Sequence, residues 1–222
     1  MTERRVGAFL PSRNGFPWPN AWPHVAPIRI GVGPLSIGIG DAARGLCGGM
    51  VFTVADLAVA GLPTPPDRQP APETPRFRYV VRRQVQSFDW LRLPLRFYAL
   101  MAAPLRWRAS RSRAAWEHVR AEIDGGRLAM LGLVRIASRN PLALTGNHQV
   151  VAWRYAVDGA TITLGIYDPN HPGADDVELR LTLSADTRSI DRFAQSTGEP
   201  LVGLLAAPYA PADPRPFRSG AG

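Results

Sequence analysis

Residues 46–60 (LCGGMVFTVADLAVA) are apolar on nearly every side and stop at Gly61 and Pro63. A helix without a polar face has to sit inside a protein, so any fold open to this chain must wrap packed layers around it. At 222 residues the chain is long enough to do so with one sizeable core or two small ones. Residues 9–40, rich in proline, glycine and aromatics, read as an ordered loop-rich wrap laid on that core. Pro63 to Pro75 holds six prolines and reads as an extended surface connection.

Beyond it, helical stretches are expected over Phe77–Phe88 and over Ala114–Ile123, the second ending at Asp124-Gly125-Gly126. After those glycines the apolar period shortens to that of strands. Leu128–Ile136 is one candidate. His148–Val157 and Thr161–Tyr167 flank Asp158-Gly159, a strong hairpin signal, and Val177–Leu183 alternates apolar with polar residues. No internal repeat is visible. The order predicts an α+β fold in a single domain over 1–210, with a loop-rich and helical lobe at 9–126 and an antiparallel sheet lobe at 127–207. The Pro/Ala/Gly-rich residues 208–222 read as a mobile tail.

Charge is confined. All 26 basic residues are arginine, and residues 76–113 carry ten of them against one acid, Asp89, which more than accounts for the whole excess of +8. The absence of lysine excludes Schiff-base and P-loop lysine chemistry. The arginines are interleaved with Phe77, Tyr79, Phe88, Trp90, Phe97, Tyr98 and Trp107, a mixture that single-strand nucleic-acid binders use. No nucleic-acid motif accompanies it, so a solvated arginine face with aromatics turned inward is the favoured reading, with part of the segment available to select acidic substrates. No stretch has the length or apolarity of a signal peptide core or a membrane helix, which predicts a cytoplasmic protein that does not enter a membrane.

Cys47 is the only cysteine, which rules out an internal disulfide and any multi-cysteine metal site. His24, His118 and His171 lack metal-ligand spacing, Asp168 to Asp176 lacks the calcium-loop pattern, and neither Gly31-Val32-Gly33 nor Gly38-Ile39-Gly40 carries a dinucleotide fingerprint. Neither a metal nor a cofactor is expected. Cys47 itself stands where the first turn of the buried helix should begin. Unpaired N–H groups and the positive end of the helix dipole favour thiolate there, and the flanking glycines leave room for a carbonyl to approach. A small core residue beside packing glycines is the alternative.

The hairpin adds two groups. His148 lies ten residues before Asp158 and Asp168 ten after, so folding about the turn brings them together. Period-2 counting puts His148, Val150 and Ala152 on one face with Leu164, Ile166 and Asp168. A carboxylate against the imidazole orients it and stabilises its protonated form. A register shift of two residues would offer Asn170 instead.

The order Cys47, His148, Asp168, with the thiol on a central helix and the other two on the sheet that follows, resembles papain-like cysteine peptidases, especially the bacteriocin-leader peptidases attached to transporters. The chain also resembles a papain-like group of bacterial and fungal proteins. That second likeness runs over roughly 9–185 and rests on Phe9-Leu10-Pro11-Ser12, Gly15-Phe16, Asn20, Gly45-Leu46-Cys47-Gly48-Gly49-Met50, Arg82-Arg83-Gln84, Ser87-Phe88, Gly132-Leu133, Asn147-His148-Gln149-Val150-Val151 and Tyr167-Asp168-Pro169-Asn170. It implies a papain-like fold with Cys47 as nucleophile, His148 as base and Asp168 as orienter, and carries over no substrate; the leading reading is a thiol hydrolase or acyltransferase acting on an amide or ester of a small molecule or peptide. Such peptidases carry a glutamine six residues before the cysteine to hold the oxyanion. Here that position is Asp41, and Asn20 and Ser36 are candidate replacements. The other reading is a non-catalytic module of the same fold that engages an acidic partner through its cleft or its arginine-rich face. Neither reading fixes an oligomeric state.

Overall fold

In the computed structural model, residues 1–22, 28–30, 37–39, 45–66, 68–72 and 74–218 are described. Its helices are α1 (Pro11–Asn14), α2 (Cys47–Val59), α3 (Pro75–Ser87), α4 (Arg92–Ala102), α5 (Leu105–Asp124) and α6 (Arg215–Arg218). Its strands are β1 (Thr2–Arg5), β2 (Ile28–Ile30), β3 (Ile37–Ile39), β4 (Ala129–Val134), β5 (His148–Asp158), β6 (Thr161–Tyr167), β7 (Glu178–Leu183), β8 (Ile190–Gln195) and β9 (Gly203–Ala206). Seven strands form one antiparallel sheet in the order β8-β7-β6-β5-β4-β9, with β1 on the outer half of β5, while β2 and β3 make a separate pair. The protein is therefore α+β, as the order of signals predicts.

The apolar helix starts at Cys47 and closes as its sequence requires. Gly61 takes a left-handed φ of 64°, and the Leu62 and Gly61 N–H groups bond back to Leu57 O and Ala58 O, a Schellman closure. Ten of its thirteen residues are buried. α3 starts at Pro75, earlier than expected, because Thr74 caps it through Oγ1 to the Phe77 N–H and proline is well suited to the first helical position. α5 starts at Leu105, immediately after Pro104, and covers twenty residues where ten were expected. α4 was not foreseen. It is separated from α3 by Asp89, Trp90 and Leu91, all with positive φ.

The sheet has a core on each face. On one, Met130, Val134, Val151, Trp153 and Tyr167 pack with Met50, Val54 and Val80. On the other, Leu131, Leu133, Val150, Ala152, Leu164 and Ile166 pack with Ala115, Trp116, Val119 and Ile123 of α5. α5 touches β9, β4, β5 and β8, so the sheet curls around it, and this helix packs with the strands although the chain order groups it with the helical lobe.

The end of the chain, expected to be mobile from residue 208, is docked as far as Arg218. Phe217 is fully buried against Phe16 and Tyr79. Tyr209 Oη and the Ala212 N–H both donate to Asp56 Oδ1, at 2.8 and 2.9 Å. Burying one phenylalanine contributes about 2 kcal/mol, and the carboxylate of α2 supplies the polar anchor that the composition of the tail does not reveal.

Candidate active site

Three contacts shape the start of α2. Gly45 adopts φ 88°, a conformation that favours glycine, and places its backbone against Asn20. Asn20 Oδ1 accepts from the Leu46 N–H at 2.6 Å and from Trp22 Nε1 at 3.1 Å, and Gln84 Oε1 of α3 accepts from the Gly49 N–H at 2.8 Å. The glycines after Cys47 do not leave the open space expected of them. A Cβ on Gly49 would lie 2.2 Å from the Val80 carbonyl oxygen, and one on Gly48 would lie 2.2 Å from Ser87 Oγ. Both glycines let α2 press onto α3 and β5, so the packing explanation holds for them, while Cys47 as a whole residue is only partly buried.

His148 opens β5 and Asp168 follows β6, and a bulge brings them together. Near the turn, Asp158 faces Thr161 and Arg154 faces Gly165, even positions against odd. An unbroken ladder of that kind would put His148 and Asp168 on opposite faces. Trp153 is the extra residue, and beyond it Ala152 faces Ile166 and Val151 faces Tyr167, which puts His148 in the same even-numbered row as Asp168. That register, continued, sets Asn170 level with His148. The ring nevertheless reaches diagonally to the carboxylate, with His148 Nε2 2.7 Å from Asp168 Oδ1. Asn170 turns back instead: its N–H donates to Asp168 Oδ1 at 2.8 Å, and its Oδ1 accepts from Asn20 Nδ2 at 3.3 Å. Asn20 thus ties the Cys47 turn to the Asp168 turn. Ser36 and Asp41, the other candidates for the oxyanion site, lie outside the described residues.

With Nε2 on Asp168, the other ring nitrogen, Nδ1, is the one left for the thiol. Burial pushes the Cys47 thiol up, but the His148 charge, a hydrogen bond with the His148 side chain and the N–H groups of Gln149 and Gly48 outweigh it and hold the thiol below its ordinary value. For His148, burial acts to lower its pKa, while the Cys47 charge and the hydrogen bond and charge of Asp168 raise it to about 9. Asp168 is fully buried, which acts to raise it. The His148 hydrogen bond and charge, the Asn170 N–H and the His171 charge bring it to about 2. The shifts therefore move the three groups toward thiolate, imidazolium and carboxylate.

Around this line lie residues that sequence reasoning did not place. Gln195 Nε2, from β8, donates to Asp168 Oδ2 at 3.2 Å. Arg135 Nη2 lies 4.0 Å and His171 Nδ1 3.5 Å from the same oxygen, and both also face Glu199. Asn147 Oδ1 accepts from the Arg135 N–H at 3.2 Å, fixing the loop from which His148 emerges. Gln149 Nε2 donates to Ser87 Oγ at 3.2 Å and seats β5 on the α2–α3 pair. Asn147, Gln149 and Ser87 belong to motifs already singled out, and His171 was considered only as a metal ligand. Gln195 and Arg135 carry no local signal, because they reach Asp168 only through the sheet, and Glu199 is drawn in behind them by Arg135 and His171.

Among the described residues, no group of three or more His, Cys, Asp or Glu could hold a metal ion, and no helix is long and apolar enough to cross a membrane. A thiol drawn toward its ionised form by a neighbouring imidazole that is itself held by a buried carboxylate has the groups needed to attack an electrophilic carbon and pass a proton to a leaving group. No protein-family model, curated protein or solved structure matches the chain.

Proposed function

We propose that the protein is a papain-like thiol hydrolase or acyltransferase acting on an amide or ester. The observation that carries this reading is the buried His148–Asp168 pair, with 2.7 Å between His148 Nε2 and Asp168 Oδ1, next to Cys47, whose thiol the His148 side chain pulls below its ordinary pKa. Cys47 thiolate attacks the carbonyl carbon, and the C=O electron pair moves to oxygen. The Cys47 N–H, at the start of α2, makes no hydrogen bond to another described residue and is available to that oxyanion. Imidazolium His148 gives its Nδ1 proton to the leaving nitrogen or oxygen as the C–N or C–O bond breaks, which leaves a thioester. Water or an acceptor nucleophile then loses a proton to neutral His148 and attacks the thioester, and Cys47 departs as thiolate. Asp168 keeps Nε2 protonated throughout, so that Nδ1 is always the nitrogen that exchanges the proton.

Because Cys47 is the only cysteine, electrophile labelling followed by intact-mass measurement reads this thiol alone. Wild-type labelling at pH 6.5 is expected to exceed that of a free thiol by about tenfold or more, since a thiol near its ordinary pKa of about 8.5 is roughly 1% ionised there. His148→Ala should remove the advantage. Labelling at the free-thiol rate, unmoved by His148→Ala, would refute the reading.

A further inference from the structure

The arginine-rich segment supplies a second site, remote from Cys47. Between α4, the first turns of α5 and β9 there is a cavity of about 300 Å³, at the lower end of the size range of small-molecule pockets. It stays open because its helix positions are small, with Ala99 on α4 and Ala114 on α5, while Leu100 and Leu205 give it apolar walls. Arg96 and Arg111 line the same cavity, one from each helix, and neither is paired with a carboxylate among the described residues. Arg111 lies over the Trp107 ring, 4.9 Å from its centroid, which holds one guanidinium against the apolar wall. Leu95, one helical turn from Ala99, is exposed and extends the apolar surface beyond the cavity.

Two unpaired guanidinia on an apolar hollow are complementary to one anionic group carried on an apolar chain. The chain displaces water from Leu100, Leu205 and Trp107, and the anion receives charge-assisted hydrogen bonds from both helices. The hollow is too small for a folded partner. Nor is the β9 backbone free for strand addition at this point, since the Leu204 N–H already donates to Ser112 Oγ of α5 at 2.8 Å. We propose that this groove binds an amphiphilic carboxylate, with its head between Arg96 and Arg111 and its hydrocarbon chain on the floor. Strand β4 separates the two sites: Leu205 pairs with Gly132, whose neighbour on the other side is Gln149, beside His148.

Octanoate and 1-octanol, which share a chain and differ in the charge of the head, are the probes, titrated calorimetrically into the full-length protein below their aggregation limits. Octanoate is expected to saturate a single site and 1-octanol to bind about tenfold more weakly or worse. Arg96→Gln with Arg111→Gln should weaken octanoate about tenfold or more and leave 1-octanol unchanged. Ala114→Trp, at an exposed position, should abolish both by filling the hollow. Cys47 labelling should be unaffected in every variant, which separates failure here from failure of the catalytic reading. Equal binding of the two probes, octanoate binding that survives the double arginine replacement, or no saturable octanoate binding would each overturn the proposal.

Discussion

Replacing Asp168 by asparagine preserves the shape of the group behind His148 and removes its charge. The surroundings can absorb the exchange. Asp168 Oδ1 accepts from His148 Nε2 and from the Asn170 N–H, and an amide oxygen in that place can do the same. At Oδ2 the new amide nitrogen would confront Gln195 Nε2 and, farther off, His171 Nδ1 at 3.5 Å and Arg135 Nη2 at 4.0 Å. Gln195 Oε1 is buried without a partner among the described residues, so a flip of that side chain turns the nearest clash into a hydrogen bond, and the other two keep Glu199 as their counter-charge. The fold should survive, and the loss should fall on the charge-assisted bond to the imidazolium. Such bonds contribute about 1.5–3 kcal/mol against about 1 for a neutral one, so His148 should fall by roughly one unit, from about 9 toward 8. The thiolate–imidazolium pair then holds over a narrower range. In a pH series of electrophile labelling followed by intact mass, the alkaline change, where the imidazolium loses its proton, should move down by about one unit, while the acid limb, on which His148 is charged on both sides of the step, should not move up. A profile unchanged in the asparagine variant would refute the assigned role of Asp168. So would a wild-type profile with one step at an ordinary thiol pKa.

Gly49→Ala puts a Cβ 2.2 Å from the Val80 carbonyl oxygen, a backbone atom that cannot swing away. A loss of about 2–3 kcal/mol in urea unfolding is expected, and a loss under 0.5 kcal/mol would show that α2 and α3 are not packed as described. Acid should also weaken the fold through Asp168, which is held at about 2 against an unfolded value of about 3.9. A depressed carboxylate contributes above the unfolded value and loses its contribution as pH falls through the folded one. About 2 kcal/mol should therefore disappear between roughly pH 4 and pH 2 in the wild type and be absent from Asp168→Asn, as read from the difference in their urea midpoints over that range.

The parts of the fold legible in the sequence are those whose cause is local. The buried helix announces itself by apolarity and its glycine stop, and the β5–β6 hairpin by Asp158-Gly159. The missed elements lack such causes. β1 is four exposed residues, Thr2-Glu3-Arg4-Arg5, which become a strand only because the outer half of β5 is there to pair with them. β8, Ile190-Asp191-Arg192-Phe193-Ala194-Gln195, has no apolar alternation, and it is set by its ladder with β7. The candidate site divides in the same way. Counting ten residues either side of Asp158 reached Asp168 as the partner of His148, yet the ladder itself sets Asn170 level with the histidine. The shared face depends on one extra residue, Trp153, that no turn signal reveals. Gln195 and Arg135 are further removed still, since their approach to Asp168 follows from sheet order.

Charge is the property for which composition says least about use, and Arg83 shows why. It belongs to the same arginine-rich segment as Arg96 and Arg111, yet its side chain is 3% exposed. Its Nη2 donates to Asp56 Oδ1 at 3.0 Å and to Ala210 O at 2.9 Å, its Nη1 donates to Gln86 Oε1 at 2.6 Å, and its Nε lies 2.7 Å from Asp56 Oδ2. The guanidinium also covers the Phe52 ring at 4.9 Å. Asp56 simultaneously receives Tyr79, Tyr209 and the Ala212 N–H, so α2, α3 and the end of the chain meet at one ion pair. Only a planar fork can serve these acceptors from one position. Arg83→Lys keeps the charge but cannot reach Asp56, Gln86 and Ala210 together, and it leaves buried acceptors unpaired. A loss of about 2–4 kcal/mol is expected in urea unfolding. The end of the chain should loosen first, exposing 209–218 to proteolysis under conditions where the wild type is resistant. Arg96→Lys, on the exposed face of α4, should change stability by less than about 0.5 kcal/mol. Equal effects of the two substitutions would refute the distinction, because it rests entirely on which face of its helix each arginine occupies.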